Sequence, residues 1–222
     1  SAINKTNLPG LFKQHIEEKL ARFQGILAAS EYNHIIIGSG SGKVQFQDDM
    51  AYPFKANPYF KEWLPLDKRS HCFLHIHSSA HKPTLYLSCK EDIWHTAPQE
   101  LPKEFSEHLE IIHFINSDEL KKIIIKHQKR LVFINETNDF DMPESQWNPS
   151  QVLNAIDFQR RSKTAYEHAC VRQATRLAVP AHRAAESAFM AGATELEIAS
   201  TYLSACKKSD NEMPYAIIAG IN

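Results

Sequence analysis

The chain has no excess of charge of either sign: 25 Lys and Arg stand against 26 Asp and Glu in 222 residues, a formal net charge of −1. That balance leaves no electrostatic footprint for nucleic acid or for an anionic membrane surface. No apolar run approaches the roughly 20 residues of a membrane-spanning helix. The first residues, SAINKTNLPG, lack the charged-then-apolar pattern of a secretory signal. Cysteine is sparse: Cys72, Cys89, Cys170 and Cys206 are scattered, with no CxxC pair. A disulfide framework is thereby excluded, and reduced, mostly buried thiols of a cytoplasmic protein are expected. A phosphate loop is missing too. The string GSGSGK from Gly38 to Lys43 tempts toward one, but Ile37 stands where the first glycine belongs and Val44 follows the lysine. No helical pattern follows it, so no helix N-terminus would face an anion; a structural turn is expected. Internal repeats and low-complexity tracts are absent.

What is present is an ordinary globular composition, 43% hydrophobic and 23% charged, long enough for one or two domains. Phe12, Ile16, Leu20, Phe23 and Leu27 recur at helical spacing and predict a helix over about residues 9 to 30, with polar residues opposite. His34-Ile35-Ile36-Ile37 suits a buried strand. The stretches 71–77 (HCFLHIH) and 84–89 (TLYLSC) alternate around turn chemistry at 78–83, which predicts a hairpin. His71, His75 and His77 would share one strand face, with His81 in the turn. Two readings stay open for them: the polar outer face of an edge strand, or a zinc or nickel site using His75, His77 and His81. Leu109–Ile115 and Leu131–Ile134 read as strands. Between them lies a helix capped by Asn116, with Glu119 reaching back and Lys126, Lys129 and Arg130 near its end. The fold class expected is α/β, a mixed sheet flanked by helices. Residues 135–149, polar and with two prolines, mark a boundary between domains at 1–147 and 148–222.

The second part reads as helices. Asn148 as N-cap with Pro149 at the first helical position opens one that buries Val152, Leu153, Ile156 and Phe158. Thr164-x-x-Glu167 and Thr194-x-x-Glu197 are capping boxes for two more, and Pro180 should kink or divide the first of these. His182 reads as a packed or surface histidine. The closing MPYAIIAGIN is an apolar, strand-like run with nothing after it to pair with. On physical grounds this resembles a domain cut partway through.

The stretch that organises the chain is Gln45–Pro65, QFQDDMAYPFKANPYFKEWLP. Pro53, Pro58 and Pro65 break every periodicity, so a strand end at Gln45–Gln47 followed by a long ordered loop is expected. Phe46, Tyr52, Phe54, Tyr59, Phe60 and Trp63 give it apolar area to pack. Asp48-Asp49 is either a solvated turn or cap, or a carboxylate presented to a ligand or partner. This stretch resembles the loop of bacterial Xaa-Pro dipeptidases (prolidases) and their organophosphorus acid anhydrolase relatives. The match runs through Phe46, Asp48, Asp49, Tyr52, Pro53, Phe54, Lys55, Asn57, Pro58, Phe60, Lys61, Trp63 and Pro65. Asp92, Trp94 and His95 match the family's D-x-W-H segment. Arg161, Lys163, Thr164, Glu167, Cys170, Arg172, Ala174 and His182 match its following helix. Pro214, Tyr215, Ile218, Ala219 and Asn222 match one of the first strands of its catalytic domain, with Gly220 where leucine is usual. Members do not generally keep histidines at 75, 77 and 81.

The resemblance implies a creatinase/prolidase N-terminal domain, ribonuclease H-like, followed by helices of an incomplete pita-bread domain. It implies hydrolysis of the amide bond before the proline of Xaa-Pro dipeptides by two divalent metals, typically manganese, in a homodimer. All five metal ligands would lie beyond Asn222, so no catalytic residue, no metal ligand and no bound cofactor is expected in this chain. Alone it should be inactive. Tyr215 matches a tyrosine lining the substrate pocket, with plain core packing as its alternative. Asp49 matches an acid that reaches the neighbouring subunit's active site and narrows the entrance to dipeptides. A different class also fits: a non-catalytic dimerisation or binding module that keeps the loop.

Overall fold

The computed structural model describes residues 8–89 and 101–220. Helix α1, Leu8–Ala28, forms on the apolar stripe, and Phe12, Ile16, Leu20, Phe23 and Leu27 are all buried. Each such side chain contributes roughly 1.5–3 kcal/mol by leaving water. The same face also buries two polar residues, His15 and Lys19.

Five strands make one mixed sheet: β1 His34–Gly38, β2 Phe73–His77, β3 Thr84–Ser88, β4 Glu110–Phe114 and β5 Leu131–Ile134. Their order is β4-β3-β2-β1-β5. The β1/β2 and β2/β3 pairs are antiparallel, while β1/β5 and β3/β4 are parallel. Alternation gives the sheet two apolar faces. Ile35, Ile37, Leu74, Ile76, Leu85, Leu87, Val132 and Ile134 join α1 and Trp63 in the larger core. Ile36, Phe73, Tyr86, Leu131 and Phe133 meet Leu120 and Ile124 of helix α4, Ser117–His127, on the other face. Two short helices, α2 Pro58–Lys61 and α3 Lys103–Ser106, lie in the connections. Helix α5, Ser150–Arg160, adds Val152 and Ile156 to the larger core.

The structure corrects several expectations. β2 is the middle strand, so its histidines do not lie on an edge. His71 precedes the strand with φ 54°, leaving only His75 and His77 on a shared face. Gln45–Gln47 is not a strand; a single antiparallel bridge, Val44 to Ala51, stands there instead. Asn148 does not cap α5, which starts one residue later after Pro149. With φ 49°, Asn148 instead turns its side chain onto the backbone of Asn135, accepting from its amide at 3.1 Å and donating to its carbonyl at 2.8 Å. Phe158 faces solvent beside the Arg161 guanidinium rather than the core. Asn116 caps α4 by accepting from the Asp118 amide at 3.1 Å.

The chain forms two compact units, Ser1–Tyr166 and Glu167–Asn222. Helix α6, Ala165–Met190, leads into the second and is not divided at Pro180. Helix α7, Glu195–Cys206, opens on the complete capping box of Thr194 and Glu197 and closes on Lys207 in left-handed conformation. After a 3-10 turn at Asp210–Glu212, residues 213–220 form no strand, against the strand expected there. The Asp92–His95 match and Asn222 lie outside the described residues.

Candidate functional site

The proline-rich stretch is built in two parts. Its body is locked into the core by Asn57. That side chain accepts from the Phe60 amide at 3.1 Å, capping α2 with Pro58 in the first helical position, and donates to the Gly38 carbonyl. The Asn57 amide donates to Ser39 at 3.0 Å, fixing the loop to the end of β1. Ala56, Phe60, Trp63 and Leu64 are buried, with Trp63 edge-on to Phe23 at 4.9 Å. Gly38 is required at this junction because a Cβ there would stand 2.5 Å from Asn135 Oδ1.

Beneath the body lies a buried ion pair that sequence reasoning missed. Lys19 Nζ meets Glu62 Oε2 at 2.7 Å, with side chains only 2% and 5% exposed. Arg160 Nε reaches the same oxygen at 3.4 Å and its guanidinium covers the Tyr59 ring at 5.0 Å. α1, α2 and α5 are thus tied by one carboxylate. A signal existed: Lys19 sits three residues after Ile16 and four before Phe23, on the apolar stripe, where a lysine is kept only if paired.

The tip is different. Between Val44 and Ala51 the chain turns on Asp48, whose Oδ1 accepts from the amides of Asp49 at 2.7 Å and Met50 at 3.2 Å. The Met50 amide, the Asp49 side chain and the Asp49 amide hold the Asp48 carboxyl below its ordinary range. Asp48 is therefore the turn former of the pair, and Asp49 beside it is exposed. Of the six aromatic residues expected to pack, Phe60 and Trp63 are in the core and Phe54 and Tyr59 lie against it. Phe46 is 91% exposed and Tyr52 is exposed as well, joined by Val44 and Met50.

Tyr215, the other expected pocket residue, belongs to the second unit and is 78% exposed. It acts on Tyr202 of α7, whose hydroxyl is raised by burial first and then by Cys206 and Tyr215. His182 lies edge-on to the Tyr202 ring at 4.9 Å. Among the described residues, no group of three or more His, Cys, Asp or Glu side chains is arranged to hold a metal ion, so these residues do not fit a metal centre. His81 is an exposed turn residue and forms no metal-holding group with His75 and His77. Among the described residues no helix is long and apolar enough to cross a membrane.

Residues 10–158 match the family model of the Xaa-Pro dipeptidase N-terminal domain. The chain is 38% identical over 215 residues to an Xaa-Pro dipeptidase of Pseudoalteromonas haloplanktis, covering 96% of this chain and 48% of that protein. It is 34% identical over 220 residues to the Xaa-Pro dipeptidase of Serratia proteamaculans, covering 97% and 49%. The chain therefore spans about half the length of these relatives. In three dimensions it is similar to aminopeptidase P from E. coli in its low pH form, with TM-score 0.56 and 14% identity over 88% of this chain and 49% of that one. Proline aminopeptidase P II from Yersinia pestis is similar at TM-score 0.53 and 16% identity, over 88% and 50%. At such identities the likeness is one of fold.

Proposed function

We propose, on the premise that this chain belongs to the Xaa-Pro dipeptidase family through its N-terminal domain, that it is the assembly and substrate-gating half of an enzyme hydrolysing the amide bond before a C-terminal proline in dipeptides. The observation that carries this reading is the two-part loop, with a body anchored by Asn57 and a tip that holds Phe46 and Asp49 out in solvent. A rigid base under an exposed apolar and acidic tip is what a segment reaching into a second copy requires. In the homodimer, Asp49 stands at the entrance to the partner copy's active site. A dipeptide carries its free ammonium group on the residue that supplies the scissile carbonyl, and a carboxylate at the rim complements it. Peptides extended at the N-terminus lack that group at the same place. Tyr215 forms part of the substrate-pocket wall in the catalytic domain.

The divalent metals of the complete enzyme, manganese in this reading, supply Lewis acidity and a hydroxide for amide hydrolysis. The four free cysteines support a cytoplasmic enzyme.

The test is Asp49→Ala in a polypeptide of the relatives' full length. Loss of a charge-assisted contact should raise KM for an Xaa-Pro dipeptide about tenfold or more. Metal content and dimer mass should stay unchanged. Kinetics identical to the unmutated enzyme would remove Asp49 from the site.

A further inference from the structure

Four imidazoles converge where α4 ends on the second face of the sheet. His34 of β1 stands opposite His77 of β2 in register, with ring centroids 4.5 Å apart. His75, two residues along β2, puts Nε2 3.0 Å from His34 Nδ1. Whichever of these rings donates, the other must present an unprotonated nitrogen. His127, the last residue of α4, lies 4.0 Å from the His34 ring and 6.2 Å from the His75 ring. His77 Nδ1 accepts from the Ser79 amide at 3.3 Å and lies 3.0 Å from the Ser79 hydroxyl.

The surrounding charges do not offset protonation of this group. From α4 and the turn after it, Lys126 and Arg130 act on the cluster, and both are cations. From β3, Tyr86 stacks on His75 at 6.4 Å. Glu110 of β4 acts on Tyr86 and accepts from the Thr84 hydroxyl at 3.1 Å. Glu31, before β1, acts on Tyr32.

We propose that this four-histidine cluster is an acid-sensitive latch: neutral, it lets α4 close over the sheet, and protonated, it releases α4 and exposes the apolar face beneath. The site belongs to no part of the dipeptidase reading and stands or falls independently of it. The direction follows from burial. Burial first, then His127, His75, His77 and Arg130, lower His34 to about 3. Burial, then His127 and His77, lower His75 to about 4. His127 is lowered by burial, Lys126 and His77. A histidine neutral in the closed state and ordinary in the open one binds more protons when open. Stability from closure is therefore complete above about pH 6.5 and is lost as pH falls toward the closed-state values. One such histidine raises the opening constant about 30-fold between pH 7.5 and pH 5, and the cluster titrates as a unit.

The experiment uses this 222-residue chain. Hydrogen exchange, corrected for intrinsic rates, is followed at pH 7.5 and pH 5 for peptides from α4 and from α1. The expected result is loss of protection in α4, by about 30-fold or more, while α1 keeps its own, with a matching rise in binding of an apolar dye. The variant His75→Gln should reduce the acid response of α4. In parallel, histidine proton resonances of the unmutated chain should show at least two rings still neutral at pH 5, a readout that survives if the variant fails to fold. Equal loss of protection in α4 and α1, no loss in either, or titration of every histidine between pH 6 and 7 while α4 keeps its protection would each overturn the latch.

Discussion

Replacing Lys19 by methionine isolates what the buried ion pair contributes. Methionine keeps the length and apolar stem of lysine, so the packing of α1 is held nearly constant. What changes is the charge opposite Glu62, 2.7 Å away at a site where both side chains are almost fully covered. Removing one partner of a buried pair typically costs about 3–5 kcal/mol, because the remaining charge stays desolvated. Arg160, 3.4 Å from the same carboxylate oxygen and itself partly exposed, retains some of the compensation. We therefore expect Lys19→Met to lose about 2–4 kcal/mol, a large fraction of the roughly 5–15 kcal/mol that holds a domain folded. Replacing both residues, Lys19→Met with Glu62→Leu, removes the stranded charge. The double variant should come within about 1 kcal/mol of the unmutated chain, because Arg160 keeps Asp157 at 3.2 Å and the Tyr59 ring. Urea denaturation followed by tryptophan fluorescence, with Trp63 buried next to Glu62, gives both values, and the Glu62→Leu single variant completes the cycle from which the interaction energy is read. A single-variant loss under about 1 kcal/mol with no coupling to Glu62 would show that solvent reaches the pair and that it does not bind the three helices.

Other consequences are as specific. Gly38→Ala drives a Cβ to 2.5 Å from Asn135, whose amide is pinned to Thr137 and Asp139, and should cost about 1–3 kcal/mol in thermal unfolding. Asn57→Ala removes the cap of α2 and the bond to Gly38 together; a loss of about 2–3 kcal/mol in the same assay is expected, against under 1 if the loop is held by its apolar residues alone. Phe46→Ser, at the solvent-facing tip, should leave stability within about 0.5 kcal/mol, and on the proposal of a homodimer should weaken self-association in sedimentation. Burial pushes the Cys72 thiol up to about 11, so iodoacetamide at pH 8 should label exposed Cys170 and spare Cys72, as read by peptide mass.

Local order was legible wherever a short-range pattern carried it. The stripe from Phe12 to Leu27, the β-branched run at 35–37, the hairpin around Ser78–Pro83 and the capping box at Thr194 each stand as expected, because each depends on residues a few positions apart. The proline-rich loop was also recognisable, since its residues match a family pattern that 10–158 shares. Longer reach was not legible. Asn148 reads as a cap, yet its amide is consumed by Asn135, thirteen residues earlier. Phe46 reads as a residue that packs, yet it is 91% exposed.

What the sequence determined by itself is the principal helices and strands of the first unit, the apolar stripe of α1 and the family the chain belongs to, since these follow from spacing, side-chain type and motif. Only the tertiary structure decided which strand is central. β1, β2 and β3 run antiparallel in chain order, and the later strands add outside them, β4 beyond β3 and β5 beyond β1, so that β2 is central and His75 meets His34 and His127 instead of lying on an expected edge. Periodicity states which way a side chain points, but not what stands opposite, because the opposite partner is supplied by chain closure over forty residues or more.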